Sequence, residues 1–103
     1  MIEITVVYPV GLGSKFDMAY YCEKHIPMVK ELLGPALKGV AVEQGIGGLA
    51  PGSRAPYHAL AHLRFESMEA LKANWGPHGE QIGWDVQNYT NTQPIIQFSE
   101  IQL

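Results

Sequence analysis

Apolar residues repeat along this chain with two different periods, and the order in which the periods alternate limits the folds that it can adopt. From Tyr57 to Phe65 every second residue is apolar or aromatic, which is typical of a strand with one buried face. Between Phe16 and Leu33, and again after Ser67, apolar residues recur every three or four positions, which is typical of an amphipathic helix. In chain order the patterns predict a strand at Ile2–Tyr8, a helix capped by Asp17 and ended by Gly34-Pro35, strands at Leu37–Ile46 and Tyr57–Phe65, a helix capped by Ser67 and broken at Gly76-Pro77, and a strand at Ile95–Leu103.

The order strand, helix, strand, strand, helix, strand predicts an α+β protein with the ferredoxin-like βαββαβ arrangement. This is a four-stranded antiparallel sheet with two helices on one face. With 103 residues, of which 47% are hydrophobic and 17% charged, the chain is expected to form one packed domain over residues 1–103. The helices leave the other sheet face open. A second copy packed on that face would bury it, so we expect a symmetric homodimer.

The first predicted helix carries a histidine on its apolar side and a proline in its interior. Tyr21 and His25 lie one turn apart, which places His25 at the edge of a buried face. Pro27 removes a backbone donor and is expected to kink the helix close to His25. Cys22 falls in the neighbouring apolar row, which predicts a small core residue. The two rows are Met18, Cys22, Ile26, Val29 and Leu33, and Tyr21, His25, Met28 and Leu32.

His25 is the main candidate for chemistry, because imidazole titrates near neutral pH and has two distinct nitrogens. One interpretation is a structural histidine whose ring nitrogens bond a backbone carbonyl and a neighbour. The other is a general acid or base in a pocket between helix and sheet, with Tyr21 donating to the substrate or orienting the ring. The spacing of the two residues leaves both interpretations open.

The third strand carries a second group of polar candidates. His58 and His62 share one strand face about 13 Å apart, which is too far for both to bind one metal ion, and no histidine spacing supports a metal site. His62 and Arg64 would bind a carbonyl or carboxylate group of a substrate if their face lines a pocket. A polar sheet face or a dimer contact is the favoured alternative for this pair.

Three further residues complete the set of candidates. Most aromatic side chains are expected in the core, and Tyr20 and Trp75 are taken as candidates to line an apolar ligand pocket. Asp85 is a further candidate for substrate binding, although a solvated or capping carboxylate is the simpler interpretation. The segment Gly45–Pro56 is rich in glycine and proline and is predicted to be a long loop.

Composition argues against several classes of function. The net charge of −3 gives no basic surface for nucleic acid, and no apolar run approaches the ~20 residues of a membrane helix. The N-terminal segment has no basic region before its apolar residues and carries Glu3, unlike a secretory signal. A single cysteine fits a reducing compartment, so we expect a cytoplasmic protein. No cofactor is predicted.

Four segments carry a resemblance to a known family. They are Phe16-Asp17 with Tyr20-Tyr21, His25, Pro27 and Met28; Leu63–Leu71; Asp85 with Asn88-Tyr89-Thr90; and Glu100. Together they resemble the EthD family, named for ethyl tert-butyl ether degradation. The resemblance implies a dimeric α+β barrel, in which two ferredoxin-like sheets pack face to face, with a ligand pocket between the helices and the sheet of each protomer. It also implies a role in xenobiotic breakdown or polyketide tailoring, with His25, Tyr21 and Asp85 as site positions.

Three hypotheses for function follow. The first is a small homodimeric enzyme that acts on a small hydrophobic or aromatic compound, with His25 moving a proton in an isomerisation, dehydration or cofactor-free oxygenation. The second is a binding protein without catalysis that delivers a hydrophobic ligand to an oxygenase system. The third is a haem- or metal-dependent enzyme with His25 or His62 as the ligand.

Overall fold

The computed structural model describes all of residues 1–103 as one α+β unit. Its strands are β1 at Ile2–Pro9, β2 at Gly39–Gln44, β3 at Tyr57–Phe65 and β4 at Ile95–Glu100. The first helix, α1, runs from Met18 to Leu33 in three parts, and the second, α2, spans Met68–Trp84. Short 3₁₀ turns follow the two helices at Gly34–Ala36 and Asp85–Asn88.

The four strands form one antiparallel sheet in the order β2-β3-β1-β4. This is the predicted ferredoxin-like topology, which is therefore confirmed. The two helices lie on one face of the sheet, and no helix in the structure combines the length and apolar character needed to cross a bilayer. The boundaries of β3 match the sequence pattern, whereas β2 is two residues shorter at each end than the predicted strand at Leu37–Ile46.

The central strands β1 and β3 bury the core with alternate residues. Ile4 pairs with Leu63 and Val6 pairs with Ala61, and all four side chains are at most 7% exposed. Because neighbouring residues of a strand point to opposite faces, the even-numbered residues of β3 lie on the face away from the helices. His58, His62 and Arg64 are therefore on the open face of the sheet, a point that the sequence left undecided.

The first helix is irregular at the position where the sequence placed the kink. An α-helical turn at Met18–Tyr20 leads into a π-helical segment at Tyr21–His25, and Ile26–Leu33 is α-helical again. The Ile26 N–H donates to the Tyr21 carbonyl, five residues back. The wider turn directs Tyr21 and His25 into the core, at 1% and 3% exposure. Cys22 is exposed, so its prediction as a core residue is wrong: the π segment turns this side chain away from the sheet, whereas Ile26 and Val29 of the same row stay buried.

The second helix continues through Gly76-Pro77, where the sequence predicted a break. Proline removes one intrahelical hydrogen bond, and the residue before proline is normally pushed out of the helical region by contact with its Cβ. Gly76 has no Cβ, which relieves that contact. Leu71 and Ile82 anchor the helix in the core on both sides of the proline, and this packing outweighs the local cost. The predicted break is thus wrong for a tertiary reason.

Helix caps follow the sequence closely. The Asp17 side chain accepts from the Tyr20 N–H, and the Ser67 side chain accepts from the Ala70 N–H. Gly34 ends the first helix with φ of 56°, a conformation that glycine adopts without a Cβ penalty. These three predicted boundaries are confirmed.

Candidate functional site

A cavity of about 360 Å³ lies between the two helices and the inner face of β1, β3 and β4. Twelve of its eighteen lining residues are hydrophobic, and none is Asp, Glu, Lys or Arg. The sheet contributes Val6, Tyr8, Ala61, Leu63 and Ile96; α1 contributes Tyr21, His25, Ile26 and Val29; α2 contributes Trp75, Gly79, Ile82 and Gly83; and the segment after α2 contributes Val86, Tyr89, Thr92, Gln93 and Pro94. A cavity of this size and composition suits a neutral, largely apolar small molecule.

His25 reaches the cavity from the π-helical segment and is oriented by a carboxylate. Its Nδ1 lies 2.9 Å from Asp85 Oδ2. An ionised carboxylate only accepts hydrogen bonds, so this contact assigns the imidazole proton to Nδ1 and leaves the lone pair on Nε2. The ring also stacks on Tyr21, with 5.3 Å between ring centroids and 16° between ring planes. Both contacts fix the orientation of the imidazole.

Asp85 is itself held by two further donors. The Tyr20 hydroxyl donates to its Oδ1 at 2.8 Å, and the Asn88 side-chain amide donates to the same atom at 2.9 Å. The 3₁₀ turn at Asp85–Asn88 brings the Asn88 amide back toward the carboxylate. Asp85, just after α2, thus bonds to two side chains of α1, Tyr20 and His25, and links the two helices.

Burial and hydrogen bonding set the protonation of this pair. Burial lowers the pKa of His25 below its usual value, and the hydrogen bond and charge of Asp85 oppose that shift without cancelling it. Burial alone would raise the pKa of Asp85, but hydrogen bonds donated by Asn88, His25 and Tyr20 outweigh it and hold the pKa below the usual value. At neutral pH the pair is therefore a neutral imidazole bonded to a carboxylate.

The second nitrogen of His25 opens to the cavity. Every fully buried side-chain nitrogen and oxygen atom in the structure has a hydrogen-bond partner. His25 Nε2 has none, since the only hydrogen bond of the ring is made by Nδ1. His25 Nε2 is therefore not fully buried, and it belongs to a residue that lines the cavity. An imidazole in this arrangement can accept a proton at Nε2 while the carboxylate orients the ring.

Three phenols form a chain beside the imidazole. The hydroxyl groups of Tyr8 and Tyr89 lie 2.8 Å apart, and the Tyr8 hydroxyl donates to the Tyr21 hydroxyl at 3.4 Å. Because Tyr8 has one proton to donate, Tyr89 must donate to Tyr8, which leaves the Tyr21 proton uncommitted. Burial raises the pKa of all three phenols, so they remain neutral hydrogen-bond donors.

The structure brings together some of the candidates from sequence and separates others. Tyr21, His25 and Trp75 line the cavity, and Asp85 contacts His25 without lining it. Tyr20 lies outside the cavity wall and acts through its hydrogen bond to Asp85. It therefore belongs to the carboxylate's surroundings and not to the pocket lining.

His62 and Arg64 lie on the opposite face of the sheet from the cavity, so the condition for their binding substrate there is not met. His62 Nδ1 is 3.3 Å from Glu3 and its Nε2 is 3.2 Å from Glu43. Arg64 Nε is 3.1 Å from Glu3. These contacts form a polar network on the open face of the sheet. This agrees with the alternative favoured for His62 and Arg64 from the sequence, a polar sheet face or a dimer contact.

Three contributors to the site were not selected from sequence. Tyr8 is the last inward-facing residue of β1, and it continues the alternation of Ile4 and Val6, which was a sequence signal that could have placed it in the core. Asn88 follows Asp85 by three residues, a spacing that places two side chains together in a helical turn. Tyr89 could be placed only by the tertiary contact with Tyr8. No group of three or more His, Cys, Asp and Glu side chains in the structure is arranged to hold a metal ion.

Comparison with known proteins identifies the family. The EthD domain matches residues 11–93, most of the chain. The chain belongs to the EthD family. An uncharacterised 11.0 kDa protein from the thcB-thcC intergenic region of Rhodococcus erythropolis is 30% identical to this EthD protein over 101 residues, which is 97% of this chain and 94% of the relative. The crystal structure of an EthD-like protein from Ralstonia eutropha JMP134 is 39% identical, with a TM-score of 0.93 over 99% of this chain and 92% of that one.

More distant structures share the fold of this EthD protein. A dimeric ferredoxin-like protein of unknown function from Thermobifida fusca has a TM-score of 0.60 at 14% identity, covering 97% of this chain and 90% of its own. A monooxygenase of Streptomyces coelicolor in complex with nanaomycin D has a TM-score of 0.63 at 12% identity, covering 98% and 87%. At these identities the likeness concerns the fold alone.

Proposed function

We propose that this EthD protein is an acid/base enzyme that removes a proton from a neutral, hydrophobic or aromatic carbon acid. The observation that carries the proposal is His25, whose Nδ1 is held by Asp85 while its Nε2 opens into an apolar cavity without a partner. The lowered pKa keeps the imidazole neutral, which is the form that accepts a proton. The structural interpretation of His25 expects both ring nitrogens to be bonded within the protein, and only Nδ1 is.

His25 can accept the proton, and Tyr21 can stabilise the negative charge that forms on the substrate. His25 Nε2 takes the proton from carbon, and the electron pair of the broken C–H bond moves onto the substrate oxygen as an enolate or phenolate. The free proton of Tyr21 can hydrogen-bond that oxygen, because Tyr8 already donates to Tyr21. The protonated imidazole is stabilised by Asp85 until the proton is returned.

The composition of the cavity wall also limits the charge that a substrate can carry. No charged side chain lines it apart from the titratable His25, so a carboxylate or phosphate group would be buried without a partner. Isomerisation, dehydration and cofactor-free oxygenation of such compounds all begin with this proton transfer. The family name and the likeness in fold to a monooxygenase support a role in degradation or tailoring of hydrophobic compounds.

The test uses 2-tetralone, a neutral bicyclic ketone with an acidic carbon next to its carbonyl. In deuterated buffer the protein is expected to accelerate exchange of that hydrogen for deuterium, followed by proton NMR. A hydrophobic cavity equally suits a carrier that delivers a ligand to an oxygenase system. Binding of 2-tetralone without faster exchange would favour that carrier function and contradict the enzyme proposal.

A glycine of α2 lies on the cavity wall, where a longer side chain is expected to reduce the cavity volume. Gly83 lines the cavity, and a Cβ added there meets no atom within 4 Å. A Gly83→Leu variant is expected to keep or gain stability, since leucine favours a helix over glycine by up to about 1 kcal/mol. Binding of 2-tetralone should weaken about tenfold or more, because an overfilled cavity costs about 1–3 kcal/mol. Calorimetric titration measures the affinity and thermal unfolding the stability.

Gln81→Leu is the matched control for that variant. It adds the same side chain to the same helix at an exposed position outside the cavity. Equal loss of affinity in both variants would show that Gly83 does not set the cavity volume.

We also propose that the EthD protein is a homodimer that pairs through the open sheet face. Val7 and Leu60 are paired in register near the centre of that face. Dimeric relatives of the same fold support the proposal. The native mass in solution is expected to be twice the chain mass of 11.4 kDa, and Leu60→Glu should shift it to the monomer because it buries an unpaired charge at the interface. Leu12→Glu, in an exposed turn, is the control; a wild-type monomer at micromolar concentration contradicts the proposal.

A further inference from the structure

A second polar group without a partner lies on the cavity wall, on the helix opposite His25. Trp75 of α2 lines the cavity, and its indole Nε1 makes no hydrogen bond within the protein. Every fully buried side-chain nitrogen in the structure has a hydrogen-bond partner, so the Trp75 N–H is not fully buried. A ligand that fills the cavity would remove this N–H from water, and a buried indole N–H usually finds an acceptor. The acceptor here has to come from outside the chain.

The position of the indole is set by a glycine one helical turn later. A Cβ placed on Gly79 would lie 2.9 Å from Trp75 Nε1 and 3.1 Å from its Cδ1. The nitrogen edge of the indole therefore rests directly on Gly79, which itself lines the cavity. Any larger residue at this position would displace the ring. Glycine in the middle of a helix is less favourable than alanine, and here it makes room for the indole.

The other polar side chains of the wall are already hydrogen-bonded or are exposed to solvent. The Thr92 hydroxyl donates to the Pro9 carbonyl, and the hydroxyls of Tyr8 and Tyr89 bond each other. Gln93 is exposed, so its amide is satisfied by solvent. Trp75 Nε1 on α2 and the Tyr21–His25 pair on α1 are therefore the polar groups that remain for a ligand within the cavity.

We propose that the Trp75 N–H binds a second oxygen of the substrate, remote from the carbon that loses its proton. This assignment rests on the proposed function and narrows it. The substrate class is a neutral, hydrophobic ketone or phenol that carries two oxygen functions, one next to the acidic carbon for Tyr21 and His25 and a second for Trp75. A compound with only the first oxygen binds but leaves the indole N–H without an acceptor.

The test compares 6-hydroxy-2-tetralone with 2-tetralone, which lacks the remote hydroxyl. Wild-type protein is expected to bind the hydroxylated compound roughly two- to tenfold more tightly, the net effect of one hydrogen bond. Trp75→Phe keeps an aromatic ring and removes the N–H, so it should abolish or reverse that preference. Gly79→Ala, which displaces the indole without deleting it, should reduce the preference as well. Calorimetric titration gives the affinities.

Trp84→Phe is the matched control, because it makes the same chemical change at an exposed position of the same helix, 75% exposed and outside the cavity. It should retain the preference. It also leaves Trp75 as the single tryptophan of the chain, so the fluorescence of this variant should change on binding of 6-hydroxy-2-tetralone. No change in fluorescence would place the ligand away from Trp75 and overturn the inference.

The outcomes separate the two proposals. If 2-tetralone exchanges its hydrogen in the wild-type protein but Trp75→Phe keeps the preference for 6-hydroxy-2-tetralone, the role of Trp75 is wrong and the role of His25 stands. If wild-type protein neither binds 2-tetralone nor accelerates its exchange, both proposals are overturned.

Discussion

His25→Asn is expected to slow deuterium exchange of bound 2-tetralone by roughly 10²–10⁴-fold, the usual contribution of a general base. In the native protein His25 Nδ1 lies 2.9 Å from Asp85 Oδ2. The asparagine amide nitrogen can occupy the position of Nδ1 and still donate a hydrogen bond to Asp85. What the variant loses is Nε2 and its lone pair. Binding affinity should change far less than the exchange rate, because Nε2 acts on the proton and not on the apolar body of the ligand.

The comparison is made with calorimetric affinity, exchange rate and thermal unfolding on the same samples. His78→Asn is the control, since it makes the same substitution on α2 at a histidine that does not line the cavity. A His25→Asn protein that exchanges 2-tetralone at the wild-type rate would remove His25 from the chemistry. The cavity would then be a binding site only.

Asp85→Asn is the second change with a large expected effect, roughly 10- to 1000-fold on the exchange rate. The carboxylate accepts from His25 Nδ1, whereas an amide can also donate to that nitrogen. Donation would move the imidazole proton to Nε2 and take away the lone pair that faces the cavity. The Tyr20 hydroxyl and the Asn88 amide would also lose the charged acceptor that they share.

The pH dependence distinguishes this effect from simple misfolding. Burial lowers the pKa of His25, and Asp85 is the group that opposes the shift. In wild-type protein the exchange rate should therefore fall as the pH drops through a value below the usual ~6.5 of histidine. Without the Asp85 charge the pKa of His25 falls further, so the acidic limb of the pH–rate profile should move to lower pH. The plateau of the exchange rate should also drop, because a weaker base transfers protons less effectively.

Glu80→Gln is the control for loss of one carboxylate, because Glu80 is exposed on α2 and away from His25. It should leave both the limb and the plateau unchanged. An acidic limb that stays in place or moves to higher pH in Asp85→Asn would contradict the assignment of Asp85 as the partner that raises the basicity of His25.

The fold of this protein was largely readable from local patterns. The alternation from Tyr57 to Phe65 predicted β3 with its observed bounds, and Asp17 and Ser67 marked the helix starts through their side-chain caps. Such signals succeed because they depend on residues within a few positions of one another. The break predicted at Gly76-Pro77 was wrong because distant core contacts of Leu71 and Ile82 hold α2 together across it.

The candidate site was readable only in part. His25 and Tyr21 stand out on a helix face, and both lie in the cavity. The exposure of Cys22 could not be foreseen, because an α-helical period was assumed where the chain forms a π-helical segment. The separation of His62 and Arg64 from the cavity also could not be foreseen, since alternation defines two strand faces without saying which of them the helices cover.

The sequence by itself determined the order of strands and helices, the family, and the presence of a histidine on a buried helix face. Tertiary structure alone decided which groups surround that histidine. The bond from His25 to Asp85 joins residues 60 positions apart, and the phenol pair Tyr8–Tyr89 joins residues 81 positions apart. No local pattern encodes such contacts, because they depend on the side chains that packing of α1 and α2 onto the sheet brings together. Burial then set the pKa of His25 and left its Nε2 facing the cavity.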